Sequence, residues 1–106
     1  MTKKERVAYY EVILDQATIV ADQMETALQA YEAVQGNLKK LESYYAGPKW
    51  KEDYEADEAG LFPADLKRGV LSQDAVYDLL ERYQELESRM REILSEEEPS
   101  SDDEKA

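Results

Sequence analysis

Cysteine and histidine are both absent from this 106-residue chain. Without cysteine there is no disulfide and no thiolate metal site. Without histidine the chain lacks the commonest metal ligand and the usual general base near neutral pH. No run approaches the ~18 consecutive apolar residues of a membrane span. Positive charge is scarce, with 13 Lys and Arg against 25 Asp and Glu and a formal net charge of -12. That balance argues against nucleic acid as a partner and against anionic membrane surfaces. It suits solubility, or a basic protein partner. The opening Met1-Thr2-Lys3-Lys4-Glu5 has no unbroken apolar stretch behind it. A signal peptide is therefore not expected, and a cytoplasmic location is. Gly-rich phosphate loops, serine-nucleophile motifs and zinc spacings do not occur.

What is present is a heptad pattern. Tyr10, Ala17, Met24, Tyr31, Leu38 and Tyr45 recur every seven residues. Ile13, Val20, Ala27, Val34 and Leu41 fill the position three further on, and Leu14, Ala21 and Leu28 widen the stripe. A repeat of seven split three and four places these side chains along one seam of a helix. Thr2, with Glu5 three residues later, reads as a capping box that opens the helix. Ala46-Gly47-Pro48 closes it, because proline disfavours helical backbone at the residue before it. The pattern predicts a helix over about residues 3–45. Gly36 lies inside the run without shifting its register, and is read as a bend or a close packing point, not a break.

A second long helix is expected over about 72–94. Ser72 is its N-cap, Asp74 supplies first-turn acid, and Leu71 and Val76 are spaced for a hydrophobic staple. Val76, Leu79, Leu80, Tyr83, Leu86, Met90 and Ile93 form its apolar stripe. Between the two, Pro48 opens a short helix of about 48–59 that Gly60 caps. Asp65 to Arg68 would make a single helical turn ended by Gly69. Trp50, Tyr54, Leu61, Phe62, Leu66, Val70 and Leu71 are too many apolar residues for a free loop and are expected to plug the end of a hairpin. Residues 95–106 carry acids and almost nothing apolar, and are expected to be a disordered tail. The sequence thus predicts an all-α fold. Residues 1–94 form one helical domain, a long antiparallel, coiled-coil-like hairpin with a short helix and an ordered connection capping one end.

The segment from Trp50-Lys51-Glu52-Asp53-Tyr54 through Gly60-Leu61, Asp65-Leu66-Lys67-Arg68-Gly69-Val70-Leu71-Ser72 and Tyr77-Asp78-Leu79-Leu80 resembles a family of short bacterial proteins, domain of unknown function 4298. The likeness covers most of the chain outside the acidic tail. It implies a bacterial, cytoplasmic origin. It implies no activity, and it carries over no catalytic or binding residue.

Two clusters invite a chemical reading. Asp53, Glu55, Asp57 and Glu58 could attract a hard cation, which needs several carboxylate oxygens together. Counted from Asp53, however, the sixth and twelfth positions of a calcium loop are Glu58 and Ala64, so both anchors fail. On a helix Asp53 and Asp57 share a face while Glu55 points elsewhere. The favoured reading is a solvated helix face with no metal and no cofactor. Asp57, Glu58 and Asp65 against Lys67 and Arg68 could support acid–base chemistry only if burial separated their pKa values. The favoured reading is instead that Asp65 caps a turn while Lys67 and Arg68 pair with acids of the preceding helix. An enzyme using carboxylates, with or without a metal, is thus the minor alternative. Of the tyrosines, Tyr9, Tyr44 and Tyr77 lie off the seams, and packing under the connecting segment is favoured over a recognition patch. The candidate interaction surface is Trp50, Tyr54, Asp57, Glu58, Asp65, Lys67 and Arg68.

The two stripes differ in length, so a hairpin leaves much of the first uncovered. Burying a Leu or Val side chain contributes roughly 1.5–3 kcal/mol, so that exposure is costly. The middle segment is expected to cover one flank, and a homodimer through the N-terminal half of the long helix to cover the other. The function expected from these features is a non-catalytic helical module for protein interaction or self-association. The alternative is an acidic inhibitor or mimic that binds a basic protein surface.

Overall fold

A computed structural model describes residues 1–97 and shows an all-α fold. Three helices, α1 (Lys3–Ala46), α2 (Pro48–Glu58) and α3 (Ala75–Glu97), follow in order, with a 3-10 turn at Gly69–Leu71 before α3. Both α2 and α3 pack against the 3-10 turn, and the last turn of α1 reaches them through Tyr44 and Tyr45. Among the described residues there is no strand. The chain divides into two compact units, Met1–Lys39 and Lys40–Ala106.

The first unit is almost entirely helix. Its opening is the expected capping box. The Thr2 N–H donates to Glu5 Oε1 at 3.0 Å, and the Glu5 N–H donates to Thr2 Oγ1 at 3.1 Å. Two of the donors that any helix start leaves unpaired are thus satisfied reciprocally. Further along, the Thr18 hydroxyl bonds back to the Leu14 carbonyl at 2.7 Å, which removes a polar group from an otherwise apolar stretch. Gly36 does not break the helix. A side chain at Gly36 would meet open space, so the glycine is not the close packing point its sequence position suggested.

The second unit turns on two glycines. Gly47 is the only residue between α1 and α2. Its N–H reaches the Tyr44 carbonyl at 3.1 Å. A Cβ there would lie 3.0 Å from the Ser43 carbonyl oxygen, so a larger residue would require the end of α1 to give by a few tenths of an ångström. Pro48 then supplies the pre-set φ of a first helical turn. At the other end of α2, Gly60 adopts φ +71°, a left-handed backbone that suits glycine. The Leu61 N–H donates to the Ala56 carbonyl and the Gly60 N–H to the Asp57 carbonyl, both at 3.0 Å, which is a Schellman closure.

Ser72 caps α3 as expected, its Oγ accepting the Ala75 N–H at 3.1 Å. The staple residues Leu71 and Val76 are the two buried apolar side chains of the described chain, at 6% and 3% exposure. Leu80 and Tyr83 are half-buried behind them, whereas Leu86, Met90 and Ile93 are exposed.

Three expectations need correction. Asp65 to Arg68 form no helical turn. A β-turn closes there instead, with the Leu66 N–H on the Pro63 carbonyl at 3.1 Å, and the helical turn comes later at Gly69–Leu71. Asp65 sits at the third position of this turn, and Gly69 starts the 3-10 segment instead of ending a helix. The plug is also thinner than expected. Leu61 is 72% exposed and Leu66 and Val70 are also exposed, while Trp50, Tyr54 and Phe62 are half-buried. Finally, α3 runs through Ser95, Glu96 and Glu97, three residues assigned by sequence to the tail. None of them is a helix breaker, so the helix outlasts its apolar stripe. The rest of the expected tail, residues 98–106, lies outside the described residues.

Candidate functional site

The sequence-derived surface lies in the second unit, and the structure brings only part of it together. Trp50, on the first turn of α2, is half-buried. It stacks on Tyr54 with ring centroids 5.3 Å apart and meets Tyr45 edge-on at 5.1 Å. Its indole N–H donates to the Val70 carbonyl at 2.9 Å. Gln73 joins the same cluster from both ends. Its carbonyl accepts the Tyr45 hydroxyl at 3.1 Å, and its side-chain amide donates to the Tyr54 hydroxyl at 3.0 Å. The tyrosine and indole polar ends therefore all find partners within the unit. Gln73 was missed by sequence reasoning. A glutamine just after an N-cap carries no signal that it will bridge two distant tyrosines.

Beside this cluster Tyr44, near the end of α1, donates its hydroxyl to Asp53 Oδ2 of α2 at 2.6 Å. That bond, then partial burial, then the carboxylate's charge push the Tyr44 hydroxyl up to about 12. Arg68 Nη1 lies 2.5 Å from Asp57 Oδ1, tying the connection to the last turn of α2. The ion pair expected between the connection and the preceding helix is thus formed by Arg68. Lys67, Glu58 and Asp65 are exposed, and no hydrogen bond or ion pair among the described residues joins them to the others. The two carboxylates on one face of α2, Asp53 and Asp57, each have a partner of their own. Among the described residues no group of three or more acidic side chains gathers to hold a metal ion. What this cluster does chemically is to tie the last turn of α1, α2 and the connection together within the second unit.

A different surface stands in the first unit. Every residue from Met1 to Ala30 is exposed. The seam positions Tyr10, Leu14 and Met24 keep 57–59% of their surface in water. Two further apolar residues, Val12 and Ile19, are exposed on the far side of the helix, separated from the seam by Gln16 and Gln23. Tyr9 lies edge-on to Tyr10 at 5.1 Å and is exposed, as is Tyr77, so of the off-seam tyrosines only Tyr44 packs at the junction. The acids Glu11, Asp15, Asp22 and Glu25 occupy heptad positions on the opposite side of the helix. Large exposed apolar faces rimmed by charge mark interaction surfaces.

A family model, described as a domain of unknown function (DUF4298), matches residues 7–93. The chain belongs to this family. No curated protein matches it, and no solved structure does. The matched span includes both surfaces just described, and the family description assigns an activity to neither. No helix among the described residues is long and apolar enough to cross a membrane.

Proposed function

We propose that this member of the family is a non-catalytic helical interaction module that works through the apolar face of α1 between residues 7 and 28. The observation that carries the reading is that this face is entirely uncovered while its composition is that of a core. The face includes the β-branched Val7, Ile13 and Val20, and the rest of the same helical stretch adds Val12, Thr18 and Ile19, all of which lower helix propensity. An exposed helix rich in such residues is a poor helix in water, because most helical stability comes from packing an apolar face. Each large apolar side chain that a partner covers returns roughly 1.5–3 kcal/mol. The face therefore has a reason to be apolar only if something docks on it. The polar groups of the Trp50 cluster, by contrast, are engaged within their own unit, which suits a scaffold. In this reading the setting is a bacterial cytoplasm, an expectation that comes from the family resemblance.

The test compares affinity capture from a cell extract by the full chain and by an Ile13→Glu, Val20→Glu variant. Proteins held by the first and lost by the second, identified by mass spectrometry, support the reading. Identical recovery by both would refute it. The acidic-mimic alternative has its own support, because α1 carries five acids and no Lys or Arg between Arg6 and Lys39. It requires binding that weakens steeply with salt, whereas apolar docking is held or strengthened by salt.

A further inference from the structure

We infer that residues 7–28 of α1 pair with the same segment of a second copy of this chain, antiparallel, with Tyr10 level with Ala27. The inference rests on the interaction-module reading and adds the partner, the direction and the register.

Side-chain volume is the first argument. The seam runs Tyr10, Ile13, Ala17, Val20, Met24, Ala27. In a parallel, in-register pair each layer holds two identical residues. Two tyrosines then crowd one layer, and two alanines leave gaps in two others, and both faults are destabilising. Antiparallel pairing sets each residue of the first heptad position against one of the second. With Tyr10 against Ala27, the register also sets Ile13 against Met24 and Ala17 against Val20. The largest seam residue meets one of the smallest, and no layer holds two alanines.

Charge gives the direction independently. Lys3, Lys4 and Arg6 form a basic end, followed by acids at residues 11, 15, 22, 25 and 32. Parallel pairing places the basic end beside its own copy and each acid beside the same acid. Antiparallel pairing in this register sets Glu32 level with Glu5 but flanked by Lys4 and Arg6 of the other copy, leaves Asp15 level with Asp22 on the side turned away from the seam, and sets the two helix dipoles in opposition.

Area makes the pair feasible. Tyr10, Ile13, Leu14, Val20, Met24 and Leu28 are 41–59% exposed. They offer roughly 600 Å² per copy and about 1,200 Å² in all, the lower end for a specific stable interface.

The lack of cysteine makes disulfide mapping clean. Tyr10→Cys and Ala27→Cys versions of the full chain, one of them tagged, are mixed and oxidised mildly. The wild-type chain is followed in parallel by sedimentation velocity up to high micromolar concentration. The expected result is a wild-type dimer and a covalent heterodimer from the mixture, with neither variant cross-linking to itself. In this register two Ala27 residues stand about 25 Å apart, far beyond the ~6 Å Cα separation of a disulfide. Ile13→Cys with Met24→Cys gives the same readout should loss of Tyr10 weaken the pair. Self-linking of Ala27→Cys alone would show parallel pairing and overturn the inference, while the interaction-module reading would stand. A wild-type monomer at every concentration would also overturn it. The capture comparison above then decides the broader reading separately.

Discussion

Replacing Tyr44 by phenylalanine tests whether the joint between α1 and α2 is held by side chains or only by chain connectivity. The hydroxyl lies 2.6 Å from Asp53 Oδ2, and both residues are half-buried. Hydrogen bonds to charged groups contribute about 1.5–3 kcal/mol, and here water competes for the carboxylate, so the expected loss is about 1–2 kcal/mol. Trp50 is the single tryptophan and stacks on Tyr54 a few residues away, so its emission reports unfolding of this unit. Urea unfolding followed at Trp50 measures the loss directly.

The same bond makes a pH prediction with a definite sign. Asp53 raises the Tyr44 hydroxyl from 10.0 to about 12 in the folded chain. Between those values the folded chain holds a proton that the unfolded chain has released. The bond's contribution is therefore complete below pH 10 and is lost as pH rises through about 12. Titration by phenolate absorbance should show one of the eight tyrosines ionising late, and Tyr44→Phe should remove that late component. If all tyrosines ionise together and Tyr44→Phe is as stable as the wild type, the argument for a side-chain lock at this joint fails.

Three further perturbations separate other parts of the fold. Val76→Ala removes the more deeply buried of the two staple residues and should cost about 2 kcal/mol in urea unfolding. Gly36→Ala fills open space in mid-helix and should stabilise by about 1 kcal/mol, read as a higher melting temperature by circular dichroism. Thr2→Ala should lower helical content at the start of α1 by opening the capping box. In the wild type, the Thr2 N–H chiefly, and its hydroxyl, hold the Glu5 carboxyl below its usual 4.5. The box is therefore complete above that pH and is lost as pH falls through the lowered folded value, a loss absent from Glu5→Gln.

Local rules carried far in this chain. The capping box at Thr2 and Glu5, the cap at Ser72, the staple at Leu71 and Val76 and the closure at Gly60 each depend on a few neighbouring residues, so they were legible in the sequence. The long helix was legible because the sevenfold spacing never slips. What was not legible depends on residues distant in sequence. The bridge that Gln73 makes to Tyr45 and Tyr54 spans 28 and 19 residues. The Trp50 bond to Val70 spans 20. The depth of the plug also escaped, because an apolar residue such as Leu61 looks the same in sequence whether it is covered or bare. Among the site residues, the Asp57–Arg68 pair followed from charge and proximity, whereas nothing in the sequence separates those two from Glu58, Asp65 and Lys67.

The contrast between the two units explains why the apolar face of α1 carries the functional reading. Unit two fixes its geometry with bonds of its own: Tyr44 to Asp53, Trp50 to Val70, Arg68 to Asp57 and Gln73 to two tyrosines. Those bonds set directions and contribute little burial, for among the described residues only Leu71 and Val76 are buried. Over residues 1–30 the balance is reversed, with abundant apolar surface and few side-chain bonds beyond the capping box and the Thr18 back-bond. A domain of about 100 residues is only marginally stable even with a proper core, because chain entropy opposes every ordered residue. A helix whose apolar residues all face water lacks the largest favourable term in that balance. In the proposed function docking supplies it, so order in the first half of α1 and occupancy of its face should rise together as a linked equilibrium. On this argument recognition and folding of that segment are one event, which accounts for a surface rich in β-branched side chains on a helix that has no internal reason to tolerate them.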